Sequence, residues 1–214
     1  MRTVVIITGA SGSIFGVELL RRLPGEKLAV LTKWGKMVLK EETGLRPADV
    51  AALCDGLHSD EDLASPLSSG SNPFDAVVAL PASAGFVAKV ACGLTDTLGT
   101  RLCHNALKER RRLVIGLRES PLTSIALENA ARVSREGAIV MPVSPFFYLK
   151  PDSIDRLVGD FVDRVVQAAG GDPPPEGWRR SELARDASPG DAKPDEWKTS
   201  DAAGRAASDP WTTE

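Results

Sequence analysis

Histidine and tyrosine are the scarcest reactive residues of this chain, with two histidines, His58 and His104, and one tyrosine, Tyr148, among 214 residues. The histidines stand far apart, and the three cysteines, Cys54, Cys92 and Cys103, show no C-x-x-C spacing. A zinc centre needs Cys, His or carboxylate ligands at short spacings, so no metal site is expected. Unpaired cysteines in odd number read as reduced thiols in core or helix, which points to a cytoplasmic protein. No apolar run approaches the roughly 20 residues of a membrane span. Met1 leads straight into a strand pattern, so no secretion signal is expected. With 26 basic and 29 acidic residues the net charge is −3, which leaves no basic field for nucleic acid or an anionic membrane. The length suits one well-packed domain and is short for two.

What is present is concentrated first at the N-terminus. Thr3 to Ile7 is a β-branched run without polar alternation, the pattern of a strand buried on both faces of a parallel sheet. A turn, Gly9-Ala10-Ser11-Gly12-Ser13, follows at once, and Phe15, Leu19, Leu20 and Leu23 then share a helix face. Gly9 and Gly12 permit a sharp turn and a close approach to a ligand. The free amides and dipole of the helix start favour an anion, so residues 9 to 13 read as a phosphate site, with a bare tight turn as the alternative. A nicotinamide cofactor is disfavoured. The second strand, Lys27 to Thr32, ends in Thr32-Lys33 rather than in the acidic residue that holds a ribose diol. The Tyr-x-x-x-Lys pair of T-G-x-x-G reductases is also missing, since Asp152 stands four residues after Tyr148.

Helix and strand patterns then alternate. Helices are expected over Trp34 to Thr43 and Pro47 to Cys54, and His58 to Asp62 reads as a solvated turn. The Pro/Ser/Gly-rich stretch 64–73 reads as a loop. Asp75 to Leu80 is a buried strand running into a second small-residue turn, Pro81 to Phe86. A helix over Thr95 to Arg110 puts Arg101 and Lys108 on one face, and Leu113 to Leu117 is a strand ending in the charged pair Arg118-Glu119. Ser124 to Arg135 is a helix, Ala138 to Met141 a fifth strand, and Ser153 to Ala168 a helix with Ile154, Leu157, Phe161, Val165 and Val166 as its apolar stripe. Such alternation predicts an α/β sandwich, Rossmann-like, with a central parallel sheet and helices on both faces. Residues 1–169 form the expected domain. Residues 170–214 are a Pro/Gly/Ala-rich tail, expected to lie on the body or on a neighbouring subunit through Trp178, Trp197 and Trp211.

Five stretches in order carry a resemblance: residues 9–16, Leu67-Ser68-Ser69-Gly70-Ser71, Leu107-Lys108-Glu109-Arg110-Arg111, Arg118-Glu119-Ser120-Pro121-Leu122, and Pro145-Phe146-Phe147-Tyr148 with Pro151. From Arg2 to Ala168 the chain resembles the flavin prenyltransferase (UbiX-like) family of flavoproteins. The resemblance implies an enzyme that joins a dimethylallyl group, from dimethylallyl phosphate, to N5 and C6 of reduced FMN without a metal. Prenylated FMN is then the cofactor of a UbiD-like decarboxylase. It further implies a homo-dodecamer with sites where subunits meet. By the same resemblance Gly9, Ala10 and Ser11 line FMN, Thr32 binds its phosphate, and Ser83, Ala84, Gly85 and Phe86 lie along the flavin. Arg101 reaches FMN from an adjacent subunit. Lys108, Arg118, Tyr148 and Arg164 hold the prenyl phosphate, and Ser11, Glu119 and Glu42 handle protons.

Phe86 stands where family members usually carry Thr, and Ala82 where many carry Cys. Phe86 removes a hydroxyl and adds bulk beside the flavin. Two other readings stay open: a flavin-dependent cysteine decarboxylase relative, which needs a catalytic His in a matching motif, and a non-catalytic FMN-binding protein with its prenyl pocket closed.

Overall fold

A computed structural model describes residues 1–173 and 177. Residues 1–173 lie within one compact unit, Met1–Pro175. Trp178, Trp197 and Trp211, expected to anchor the tail, lie outside the described residues.

The elements run β1 (Arg2–Ile7), α1 (Ser13–Arg22), β2 (Glu26–Leu31), α2 (Lys33–Thr43), α3 (Pro47–Ala51), β3 (Gly56–Ser59), a 3-10 turn (Pro66–Ser68), β4 (Ala76–Ala82), α4 (Ala84–Ala91), α5 (Leu98–Lys108), β5 (Arg112–Leu117), α6 (Ser124–Arg135), β6 (Ile139–Pro142) and α7 (Ile154–Ala168). All strand pairs are parallel and the order is β3-β2-β1-β4-β5-β6. The central strands are apolar on both faces because both faces are covered. Val5 and Ile7 pack with α1, α2 and α7, whereas Val4 and Ile6 pack with α4, α5 and α6. Strand alternation at period two thus feeds two cores.

Two expectations need correction. His58 and Ser59 belong to a sixth strand, β3, and Asp60 behind it is 7% exposed rather than solvated. Four residues of edge strand are too few for a periodic pattern to stand out from the polar run that follows. Ile154 is 77% exposed, so the buried stripe of α7 starts a turn later, at Val158.

Candidate active site

The strand order reverses between β1 and β4. From β1 the chain steps outward through β2 and β3, then returns to β4 on the other side. A crevice outside the carboxyl ends of the strands at such a point is where open α/β sheets bind ligands. Thr8 sews its floor. Its hydroxyl donates to the Pro81 carbonyl (2.8 Å) and accepts the Ser83 amide (2.9 Å). The sequence reading missed Thr8, whose only mark is its place one residue beyond a buried strand.

Gly12 precedes α1 with φ of +93°, a conformation that disfavours a side chain. The anion at this helix start is not left to a ligand. Glu42, at the far end of α2, accepts the Gly12 amide (2.9 Å), the Ser13 amide (2.9 Å) and the Ser13 hydroxyl (2.9 Å). The Ser11 side chain lies close to it. Burial pushes the Glu42 carboxyl up, but the donor groups of Ser11, Ser13 and Gly12 around it outweigh that and hold it below its ordinary value. Within the stretch 9–13, read as a phosphate site, the Gly12 and Ser13 amides are thus taken by a side-chain carboxylate. Glu42 and Ser11 come together here across 31 positions of sequence, which no local pattern announces.

The adjacent helix starts are arranged differently. Thr32 caps α2, its hydroxyl oxygen accepting the Gly35 amide at 2.9 Å and keeping its own proton to donate. Ser83 caps α4 in the same way through the Phe86 amide (3.2 Å). A Cβ on Gly9 would come within 2.5 Å of the Trp34 Cβ, so the β1–α1 turn lies tight against the start of α2. At Gly85 a Cβ would meet open space, whereas Phe86 is 7% exposed and packed in the core over Gly99. The bulk expected beside the flavin points inward instead.

Arg118 and Glu119 leave the carboxyl end of β5, where the Arg118 amide donates to the Ala82 carbonyl (3.0 Å). They form no ion pair among the described residues. Glu119 accepts the Ser120 amide at 3.0 Å. Tyr148, in the loop after β6, stacks on Phe146 with centroids 4.7 Å apart. All of these lie at the carboxyl edge of the sheet.

Lys108, Arg101 and Arg164 are placed otherwise. Lys108 ends α5 and pairs with Glu109, four residues before β5 begins at the amino edge. Arg101, near the start of α5, donates through Nε to the Ser68 carbonyl (3.1 Å). Arg164 bonds the Gln167 side-chain oxygen (2.5 Å) and lies about 15 Å along α7 from Ile154. The end of α7 reaches the amino edge, where the Arg112 guanidinium meets the Ala168 carbonyl (3.5 Å). The fold of one chain does not bring Lys108 or Arg164 to the crevice mouth.

Residues 1–168 match the family described as Flavoprotein. The chain is 40% identical over 171 residues to flavin prenyltransferase UbiX of Thermoplasma acidophilum, which covers 79% of this chain and 95% of that protein. This chain is a member of the flavin prenyltransferases. Among solved structures it is similar to AnUbiX in complex with FMN and dimethylallyl pyrophosphate, with TM-score 0.79, 39% identity and coverage of 83% of this chain and 98% of that one. It is also similar to a dodecameric FMN-dependent UbiX-like decarboxylase from Escherichia coli O157:H7, with TM-score 0.80, 38% identity and coverage of 84% and 100%. For this flavin prenyltransferase the two histidines are spent elsewhere: His58 Nδ1 meets the Ser65 hydroxyl (3.3 Å) and His104 Nε2 the Val90 carbonyl (3.2 Å). That disfavours the cysteine decarboxylase reading. No helix among the described residues is long and apolar enough to cross a membrane.

Proposed function

We propose that the crevice at the β1/β4 switch point binds reduced FMN and dimethylallyl phosphate and joins them, giving prenylated FMN for a UbiD-like decarboxylase. The observation that carries this reading is Glu42, a carboxylate held by the Gly12 and Ser13 amides and the Ser13 hydroxyl, beside Ser11 at the mouth of that crevice. The chain's groups suit FMN: a hydroxyl donor at the start of α2 (Thr32), an open strip at Gly85, and the guanidinium of Arg101. When bound, reduced FMN supplies the nucleophilic atoms N5 and C6.

The chain's own work is to orient and to hold charge and protons. Gly9, Ala10 and Ser11 line one side of the flavin, and Ser83, Ala84, Gly85 and the Phe86 backbone line the other. Thr32 donates to the FMN phosphate, and Arg101 reaches it from an adjacent subunit. Lys108, Arg118, Tyr148 and Arg164 hold the prenyl phosphate and meet the charge that grows on it as it leaves. Glu42 stays ionised, so it can take a proton through the Ser11 hydroxyl, and Glu119 takes or returns one at the β5 end. The burial of Phe86 in the core supports an open prenyl pocket over a mere FMN carrier. A cytoplasmic setting suits the three free cysteines.

The place of Lys108, away from its own chain's crevice mouth, supports sites shared between subunits, and the likeness to a dodecameric relative supports a dodecamer. The test is complementation. Lys108→Ala and Arg118→Ala should each abolish most turnover. Co-assembled in equal amounts, the two variants should regain about a quarter of parent activity, the share of sites that receive both residues on random mixing. A mixture as inactive as its components would place Lys108 and Arg118 in one chain's site, or Lys108 in none.

A further inference from the structure

Asp60 directly follows β3 and is 7% exposed, a buried carboxylate outside every role described above. It accepts the Gly99 amide at 2.8 Å, and its own carbonyl accepts the Leu98 amide at 2.8 Å. Leu98 and Gly99 open α5. A Cβ on Gly99 would lie 2.9 Å from Asp60 Oδ1, so the first turn of the helix sits directly on the carboxylate.

Two residues on is Arg101. Its amide bonds Thr97 (2.9 Å), and its Nε shares the Ser68 carbonyl with the Asn105 side chain (3.1 and 2.8 Å). No described residue takes its two Nη groups. The guanidinium is therefore fixed at two levels, by the turn under its backbone and by Ser68 at Nε, with one edge left to donate.

We propose that Asp60 is the positioning residue for Arg101. By holding the first turn of α5, it sets the direction in which the Nη edge meets the flavin phosphate of the adjacent subunit. This rests on the reading of Arg101 as an FMN ligand. Asp60 itself touches no ligand. A guanidinium that bonds a phosphate through two parallel donors tolerates little displacement, so the anchoring of its helix reaches its affinity.

The experiment is a double-mutant cycle on FMN affinity, measured on the assembled protein with folding followed by thermal denaturation. Asp60→Ala should weaken FMN about fivefold to tenfold, while Asp60→Asn, which keeps an acceptor for Gly99, should stay within about twofold of the parent. In an Arg101→Ala background, Asp60→Ala should cost nothing further, because residues that act as a unit are not additive. If the Ala variant does not fold, Asp60→Glu, which keeps the charge and displaces the acceptor by a methylene, carries the same cycle. Losses that add would make Asp60 a purely structural cap and overturn the proposal. So would an Arg101→Ala variant that binds FMN weakly beside an Asp60→Ala variant that binds it at parent strength. FMN affinity unchanged by Arg101→Ala alone would instead remove Arg101 from the site, and the proposal would fall with that reading.

Discussion

Glu119→Gln should lower prenyl transfer by about 10²–10⁴, the range that general acid–base groups contribute. Gln keeps the shape and one oxygen to accept the Ser120 amide, which Glu119 holds at 3.0 Å. It cannot take a proton. FMN and dimethylallyl phosphate should still bind, because their phosphates are held by other residues. Single-turnover kinetics with both ligands saturating separates the two effects: the chemical rate falls and the dissociation constants do not. Transfer at the parent rate would reduce Glu119 to a turn-forming residue and leave proton handling to Ser11 and Glu42.

Phe86→Ala should cost about 3–5 kcal/mol of stability, the usual loss when a buried phenyl ring becomes a cavity. Phe86 is 7% exposed, and its ring edge would lie 3.3 Å from a Cβ placed on Gly99. Each kcal/mol shifts the melting temperature by about 2–4 °C in a protein of this size, so calorimetry should register a drop of about 6–20 °C. FMN affinity in the variant that still folds should change little, because the ring is buried in the core. The opposite outcome, parent stability with tighter FMN binding, would mean that the ring projects into the flavin's space after all.

The sheet was legible because its physics is local. Val4 to Ile7 can only be a strand covered on both sides, and Gly12 marks the turn by a φ that few other residues adopt. The helices announced themselves through apolar stripes, and α7 misled only at its exposed first turn, where Ile154 continues the period without a partner. The site was legible in outline, since small-residue turns after β1 and β4 imply a crevice. Its contents depended on contacts between distant parts of the chain. Glu42 takes the amides of Gly12 and Ser13 from the end of a different helix, so the helix start that looked ready for phosphate is already satisfied. Phe86 read as crevice bulk because a sequence gives the residue and not the direction of its side chain. Asp60 sat in a polar run that looked solvated, and only the packing of α5 over it makes it buried. The stretch around Arg101 and Lys108 resembled the family's, but whose crevice those cations serve is a matter of which edge of the sheet α5 ends on.

The reaction itself can be read from the mass of the flavin. The protein is incubated with reduced FMN and dimethylallyl phosphate without oxygen and then denatured, and the released flavin is weighed by mass spectrometry. A flavin heavier by one five-carbon isoprenyl unit, formed by the parent and lost in Glu119→Gln, is the expected result. Unmodified FMN recovered from a protein shown to bind both compounds would contradict prenyl transfer at this crevice.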